Sequence, residues 1–243
     1  VIVFASDFGH ADGYVGVVEA VIAKLAPSER VIHLAHDVAP QDVRAASLVL
    51  CSAAPHLPNG AVVLAVIDPG VGGSRRAIAA RGERLVVVGP DNGLFGALWT
   101  LDPPIEARAL HRDPAIVART FDGRDVFAPA AAHLAAGASL DQLGESIELA
   151  TLAAGSVLPT RGPSGEIWTF DRFGNAITNL LGSAHRVEIG AHTLAVRTHY
   201  ADVAIGEAVA YRGSSGLVEI AVRDGSARDQ LGLRASMPVR VVD

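Results

Sequence analysis

The sequence predicts two folded parts in series: a mostly parallel-sheet α/β domain over residues 1–155 and a small all-β domain over residues 166–243, joined by a linker at 156–165. Three observations carry this. Short apolar runs rich in β-branched residues alternate with amphipathic stretches through the first two-thirds of the chain, the pattern of strands joined by helical crossovers. The texture then changes at 155–165, a stretch holding Pro159, Pro163 and three glycines. Beyond it, short strand-like runs recur at close spacing between Gly-rich turns, which suits a small antiparallel barrel or sandwich.

Residues 1–5, 31–34, 61–67 and 85–89 are the first apolar runs, and continuous runs of this kind suit strands covered on both faces. Between them Val15, Val18, Ile22 and Leu25 recur at helical spacing, and Pro27 stops that helix. Pro40 opens a second helical segment carrying Val43, Ala46 and Leu50. An alanine-rich segment after Pro129 reads as a third, closed by Gly137. In the second part, strands are expected at 166–170, 186–189, 193–198, 207–211, 217–222 and 239–242.

Composition bounds the function. Half of the 243 residues are hydrophobic and 19% are charged, enough for a sizeable core and against disorder. The net charge of −6, with no basic block, argues against a nucleic-acid partner. No apolar run reaches the length of a membrane span, and no signal-peptide pattern opens the chain. The single cysteine, Cys51, lies in an apolar stretch and reads as a buried core residue, in keeping with a reducing cytoplasm. Val1 is not a natural start, so a few residues are expected ahead of it.

In an open parallel sheet, ligands bind beyond the carboxyl ends of the strands. The runs at 1–5, 61–67 and 85–89 end in Asp7, Asp68 and Asp91, which would then face one crevice. Asp-Pro-Gly and Asp-Asn-Gly are also ordinary turn chemistry, and for Asp91 both readings stand. For Asp68 a functional reading is favoured, because Arg75 on the same loop can return to fix and ionise the carboxylate. The loop glycines match no nucleotide fingerprint. His33, His36, His56 and His133 lack metal-ligand spacing and read as surface or core residues. Asp122 and Asp125 sit in Thr120-Phe121-Asp122-Gly123-Arg124-Asp125, where Asp125 reads as a helix N-cap. Gly213-Ser214-Ser215-Gly216 reads either as a nest for a carboxylate or as a hairpin turn.

Taken together, six ordered motifs resemble the S-adenosylmethionine (SAM) hydroxide adenosyltransferases, relatives of the SAM-dependent fluorinase and chlorinase. They are SDFGHADGYVG, DPGVGGSRR, VGPDNGL, TFDGRDVFAPAAAHLA, FDRFGNAITN and GSSGLVEIAV. The resemblance implies an α/β N-terminal domain, a C-terminal β-barrel, and a homotrimer with active sites between the N-terminal domain of one chain and the C-terminal domain of its neighbour. It implies hydrolysis of SAM to adenosine and methionine, with SAM as substrate and neither cofactor nor metal. Carried over, Asp7 would hold the ribose diol, Asp12 and Asp171 the methionine amino group, and Ser214 and Ser215 its carboxylate. Phe173 and Tyr200 would flank the adenine, and Asn175 with backbone groups around Val222 would read its edge. Asp68 and Arg75 stand where halogenating relatives carry tyrosine and threonine, which implies water as nucleophile. The water-using branch typically reads T-F-H-G-R-D, so Asp122 replaces the histidine of an Asp–Arg–His set. On that ground Asp122→His is expected to raise turnover or leave it similar. Two rivals remain: a magnesium-dependent phosphohydrolase built on Asp7, Asp68 and Asp91, and a non-catalytic SAM or adenosine binding module.

Overall fold

The computed structural model describes residues 1–115, 118–182 and 185–242. The chain divides into two compact units, Val1–Ser156 and Val157–Asp243.

In the first unit, strands β1 (Ile2–Ser6), β2 (Val31–Ala35), β3 (Val62–Val66), β4 (Ala77–Arg81), β5 (Val86–Pro90), β6 (Glu106–Leu110) and β7 (Gly144–Ser146) form one sheet in the order β2-β1-β3-β5-β4-β6-β7. The pairs β1–β2, β1–β3 and β3–β5 are parallel, whereas β4 runs antiparallel to β5 and β6, and β7 antiparallel to β6. β1, β3 and β5 are buried throughout, which explains their unbroken apolar sequences. Helices α1 (Tyr14–Leu25) and α3 (Ala128–Ala135) cover one face, with Val18, Ile22 and Ala131 packing on Phe4, Leu64 and Val88. Helix α2 (Val43–Ala53) covers the other, with Ala46 and Leu50 against Val63, Ile67 and Val87. Burying one Leu, Ile or Phe of this layer contributes about 1.5–3 kcal/mol. Cys51 lies within α2, buried, and that burial pushes its thiol pKa up, away from reactivity.

Three local expectations change. Pro40 does not open α2: the helix starts at Val43, and the Asp42 carboxylate caps it by accepting from the Ala45 amide at 2.8 Å. Asp125 is not an N-cap. It lies inside a π-helical turn, Gly123–Phe127, that leads directly into α3, and its carboxylate is engaged by Arg124. The antiparallel strands β4, β6 and β7 also enlarge the sheet beyond the four runs read from sequence.

The second unit is a closed barrel of β8 (Ser164–Phe170), β9 (Ala176–Leu181), β10 (Arg186–Ile189), β11 (His192–Arg197), β12 (Ala208–Arg212), β13 (Leu217–Val222) and β14 (Pro238–Val242), in the order β10-β11-β12-β13-β9-β8-β14. All its pairings are antiparallel except β11–β12. Ile167, Leu180, Val187, Ile220 and Val239 fill its interior. The stretch ahead of β8 runs along β9: Thr160 bridges Leu180, and the Leu158 carbonyl accepts from Asn179 at 2.9 Å. Among the described residues no helix is long and apolar enough to cross a membrane.

Candidate functional site

β1 and β3 are sheet neighbours, so the loops leaving their carboxyl ends meet. Together with the turn at 120–123 they enclose a cleft of about 280 Å³ lined by Asp7, Phe8, Gln41, Asp68, Phe121 and Asp122, among others. Asp7 accepts the Gln41 amide at 2.7 Å, and Gln41 holds a left-handed backbone with φ 66° to deliver it. Such a conformation in a non-glycine residue costs free energy and is retained where the surroundings enforce it. Phe121 packs edge to face on Phe8 and on Tyr14, with centroids 5.7 and 5.1 Å apart, and Phe8 meets Tyr14 at a tilt, 5.8 Å away.

Asp68 and Arg75 sit on the Gly-rich loop after β3. Arg75 Nε donates to Asp68 Oδ1 at 2.9 Å, and its Nη2 donates to Asp68 Oδ2, making a two-pronged pair. The same Nη2 donates to Asp122 Oδ2 at 2.5 Å. Asp68 and Asp122 are 6% and 1% exposed, so this is a buried cluster. Burial works against the Arg75 charge, but the hydrogen bonds to Asp68 and Asp122 outweigh it and push its pKa up, so it stays a cation. Phe127 lies under the guanidinium at 5.4 Å. Gly72 is required here: at φ 76° a Cβ would stand 2.7 Å from the Arg119 carbonyl.

Sequence reasoning misses a fourth member. Arg112, on the loop after β6, donates from Nη2 to Asp122 Oδ2 at 2.6 Å. Its sequence neighbourhood carries no motif, and it precedes Asp122 by ten residues. Equally unsignalled is a hydrogen-bonded chain behind β1. Ser6 Oγ meets His36 Nδ1 at 2.7 Å, and His36 Nε2 meets His33 Nδ1 at 2.8 Å. His36 also accepts the Gly9 amide at its carbonyl, at 2.8 Å, and so braces the segment bearing Asp7. Burial first, then His33 and His10, pushes the His36 pKa down to about 4.

Asp91 does not join the cleft. Arg76 holds it through Nε at 2.8 Å, and it accepts the Ala153 amide at 2.8 Å. It ties the end of β5 to the 149–153 segment, and the three-carboxylate set expected for magnesium is not formed. Among the described residues no group of three or more His, Cys, Asp or Glu is placed to hold a metal ion. Asp12 is exposed, on the stretch before α1.

The remaining expected site residues lie on the barrel unit. Asp171 Oδ1 accepts the Phe173 and Asn175 amides, both at 2.9 Å, and its Oδ2 accepts Asn175 Nδ2 at 2.8 Å. This turn projects Phe173, 76% exposed, into solvent. Tyr200 accepts the Asp224 amide at its hydroxyl, at 3.0 Å. Val222 is buried at the end of β13. Ser214 is exposed and Ser215 half-buried at the β12–β13 turn. Beneath that turn, Tyr211 donates to Glu219 Oε2 at 2.9 Å, and burial pushes the pKa of both groups up.

The family model for the SAM hydroxide adenosyltransferase N-terminal domain matches residues 2–144, and that for the C-terminal domain matches residues 165–240. The chain belongs to the SAM hydroxide adenosyltransferase family. An (R)-S-adenosyl-L-methionine hydrolase of Thermus thermophilus is 52% identical over 98% of both chains. A protein of the same description from Salinispora tropica is 42% identical over 98% of this chain and 96% of its own. The crystal structure of a conserved hypothetical protein from Thermus thermophilus superposes with a TM-score of 0.91, at 51% identity and 99% coverage of each. As a member of this family, the chain carries the Asp68–Arg75 pair and Asp122 inside the N-terminal match and Asp171 to Val222 inside the C-terminal one.

Proposed function

We propose that the chain hydrolyses SAM to adenosine and L-methionine by in-line attack of water at the ribose 5′ carbon. The observation that carries this reading is the buried Asp68–Arg75 pair at the cleft, in a family whose close relatives are named SAM hydrolases. SAM is a sulfonium cation, so its leaving thioether is neutral and needs neither a general acid nor a metal. Water oxygen forms the bond to C5′, the C5′–S bond breaks, and its electron pair goes to sulfur. The water proton goes to Asp68. A carboxylate has about four lone-pair positions, and Arg75 occupies one on each oxygen, leaving the others to orient water. General-base assistance contributes about 10²–10⁴-fold, with positioning in a dry cleft supplying much of the rest.

In this reading Arg75 and Asp122 hold the base, and Asp7 binds the ribose diol. Asp12 and Asp171 meet the methionine ammonium, and Ser214 and Ser215 its carboxylate. Phe173 and Tyr200 flank the adenine, while Asn175 and the backbone near Val222 read its edge. The protein acts as a cytoplasmic homotrimer whose sites combine the α/β unit of one chain with the barrel of the next. The high exposure of Phe173 supports an approaching partner surface. The test is incubation of purified protein with SAM in H2¹⁸O without added metal. Adenosine labelled at its 5′ hydroxyl, with methionine in equal amount, is expected. No adenosine would overturn the reading, and 5′-chloro-5′-deoxyadenosine as main product in chloride buffer would overturn water as nucleophile.

A further inference from the structure

Asp68, Arg75, Asp122 and Arg112 form a chain of alternating charge. Asp122 Oδ2 takes a hydrogen bond from Arg75 at 2.5 Å and a second from Arg112 at 2.6 Å. Two carboxylates and two guanidinium groups sum to zero. Without Arg112, two carboxylates that are 6% and 1% exposed would share one cation, and a buried excess charge is costly wherever it is left unpaired. Arg75 is the shared member. Asp122, left with Arg75 alone, would compete with Asp68 for the same Nη2, the prong that closes the pair on Asp68 Oδ2. Arg112 comes from a different loop and meets only Asp122 among these groups, and its own Nη1 is buried with no hydrogen-bond partner among the described residues. A guanidinium held in this way, with donors left unsatisfied, is not explained by packing or by surface solubility.

We propose that Arg112 is a positioning residue: it neutralises Asp122 so that Arg75 keeps its two-pronged hold on Asp68, and thereby sets the turnover of the cleft without touching substrate. This rests on the hydrolase reading above. It predicts a dependence on net charge, not on Arg112 alone. Arg112→Gln leaves the cluster one charge negative; Asp122→Asn leaves it one charge positive; the double variant is neutral again.

The experiment measures kcat and KM for SAM in the wild type, Arg112→Gln, Arg112→Lys, Asp122→Asn and the double variant, with thermal unfolding of each. Arg112→Gln is expected to lower kcat about 10- to 100-fold with KM nearly unchanged, and Arg112→Lys to recover part of the loss. The double variant should exceed Arg112→Gln in kcat, a non-additivity that a packing role would not produce. Unchanged kcat in Arg112→Gln, or a double variant whose loss is the product of the single losses, overturns the proposal. A wild type inert towards SAM sinks the hydrolase reading alone. The charge pairing is then read from Tm, where the double variant should lie above Arg112→Gln and an additive loss overturns it.

Discussion

The two units present their functional groups in opposite ways. In the α/β unit the Asp68–Arg75–Asp122 cluster is buried and bonded internally: Asp122 is 1% exposed and serves two arginines. In the barrel unit two of the groups stand outward: Phe173 is 76% exposed, and Ser214 is exposed at the β12–β13 turn. A site that performs a bond-breaking step profits from groups fixed before substrate arrives, since any reorganisation is added to the barrier. A surface that selects a ligand profits from aromatic faces and hydroxyls free to be covered. On the proposed reading, turnover then rests on the buried cluster of the first unit, and the barrel contributes mainly to affinity.

The sharpest way to break that assignment is Asp68→Ala. Loss of the base should lower kcat about 10²–10⁴-fold while the calorimetric affinity for SAM stays within a few-fold. An affinity loss with intact turnover would reverse the contrast. Next in size is Phe173→Ala. Stacking on a base is worth about 1–3 kcal/mol, so KM should rise about 10-fold or more with kcat nearly kept. Equal losses in kcat would show that the barrel groups act on the reacting centre too.

Asp122→His tests the interior of the cluster. Sequence alone suggests a gain or no change. The contacts of Asp122 argue the opposite way, because histidine would leave Arg112 without a carboxylate and Asp68 alone to balance two guanidinium groups. A fall in kcat of several-fold, checked by steady-state kinetics, is now expected. The smallest effect concerns pH. His36 is held at about 4 when folded, against 6.5 when free, so the unfolded chain binds the extra proton between those values. Its contribution to stability is present above 6.5 and is lost as pH falls towards 4. A Tm profile over this window should flatten in His36→Gln.

These residues also mark what a sequence can tell. Asp7 and Asp68 are legible because unbroken apolar runs stop at them, and Arg75 because it shares a short loop with its partner. Asp91 carries the same signal, but its role depends on Arg76 and on the Ala153 amide, 62 positions away. Arg112 is invisible for a similar reason: only the folded loop after β6 brings it to Asp122. β4, reading Ala-Ile-Ala-Ala-Arg, and β6, reading Glu-Ala-Arg-Ala-Leu, have compositions suited to a helix, and they become strands because neighbours in the sheet supply their partners. β9 is hidden by Thr178 and Asn179, polar groups satisfied by the Val218 and Leu158 carbonyls.

The π-helical turn at Gly123–Phe127 has a genetic consequence. Such a turn holds one residue more than an α-helical turn, so losing a single codon there would let α3 wind backwards without a break. The residues on either side would keep their register, whereas the same loss inside Ala128–Ala135 would swing everything before it by about 100° around the helix axis. Asp122, immediately ahead of the turn, would stay beside its two arginines. A one-residue deletion at 123–127 should therefore yield chains that still fold and keep part of their turnover, whereas one inside Ala128–Ala135 should abolish it.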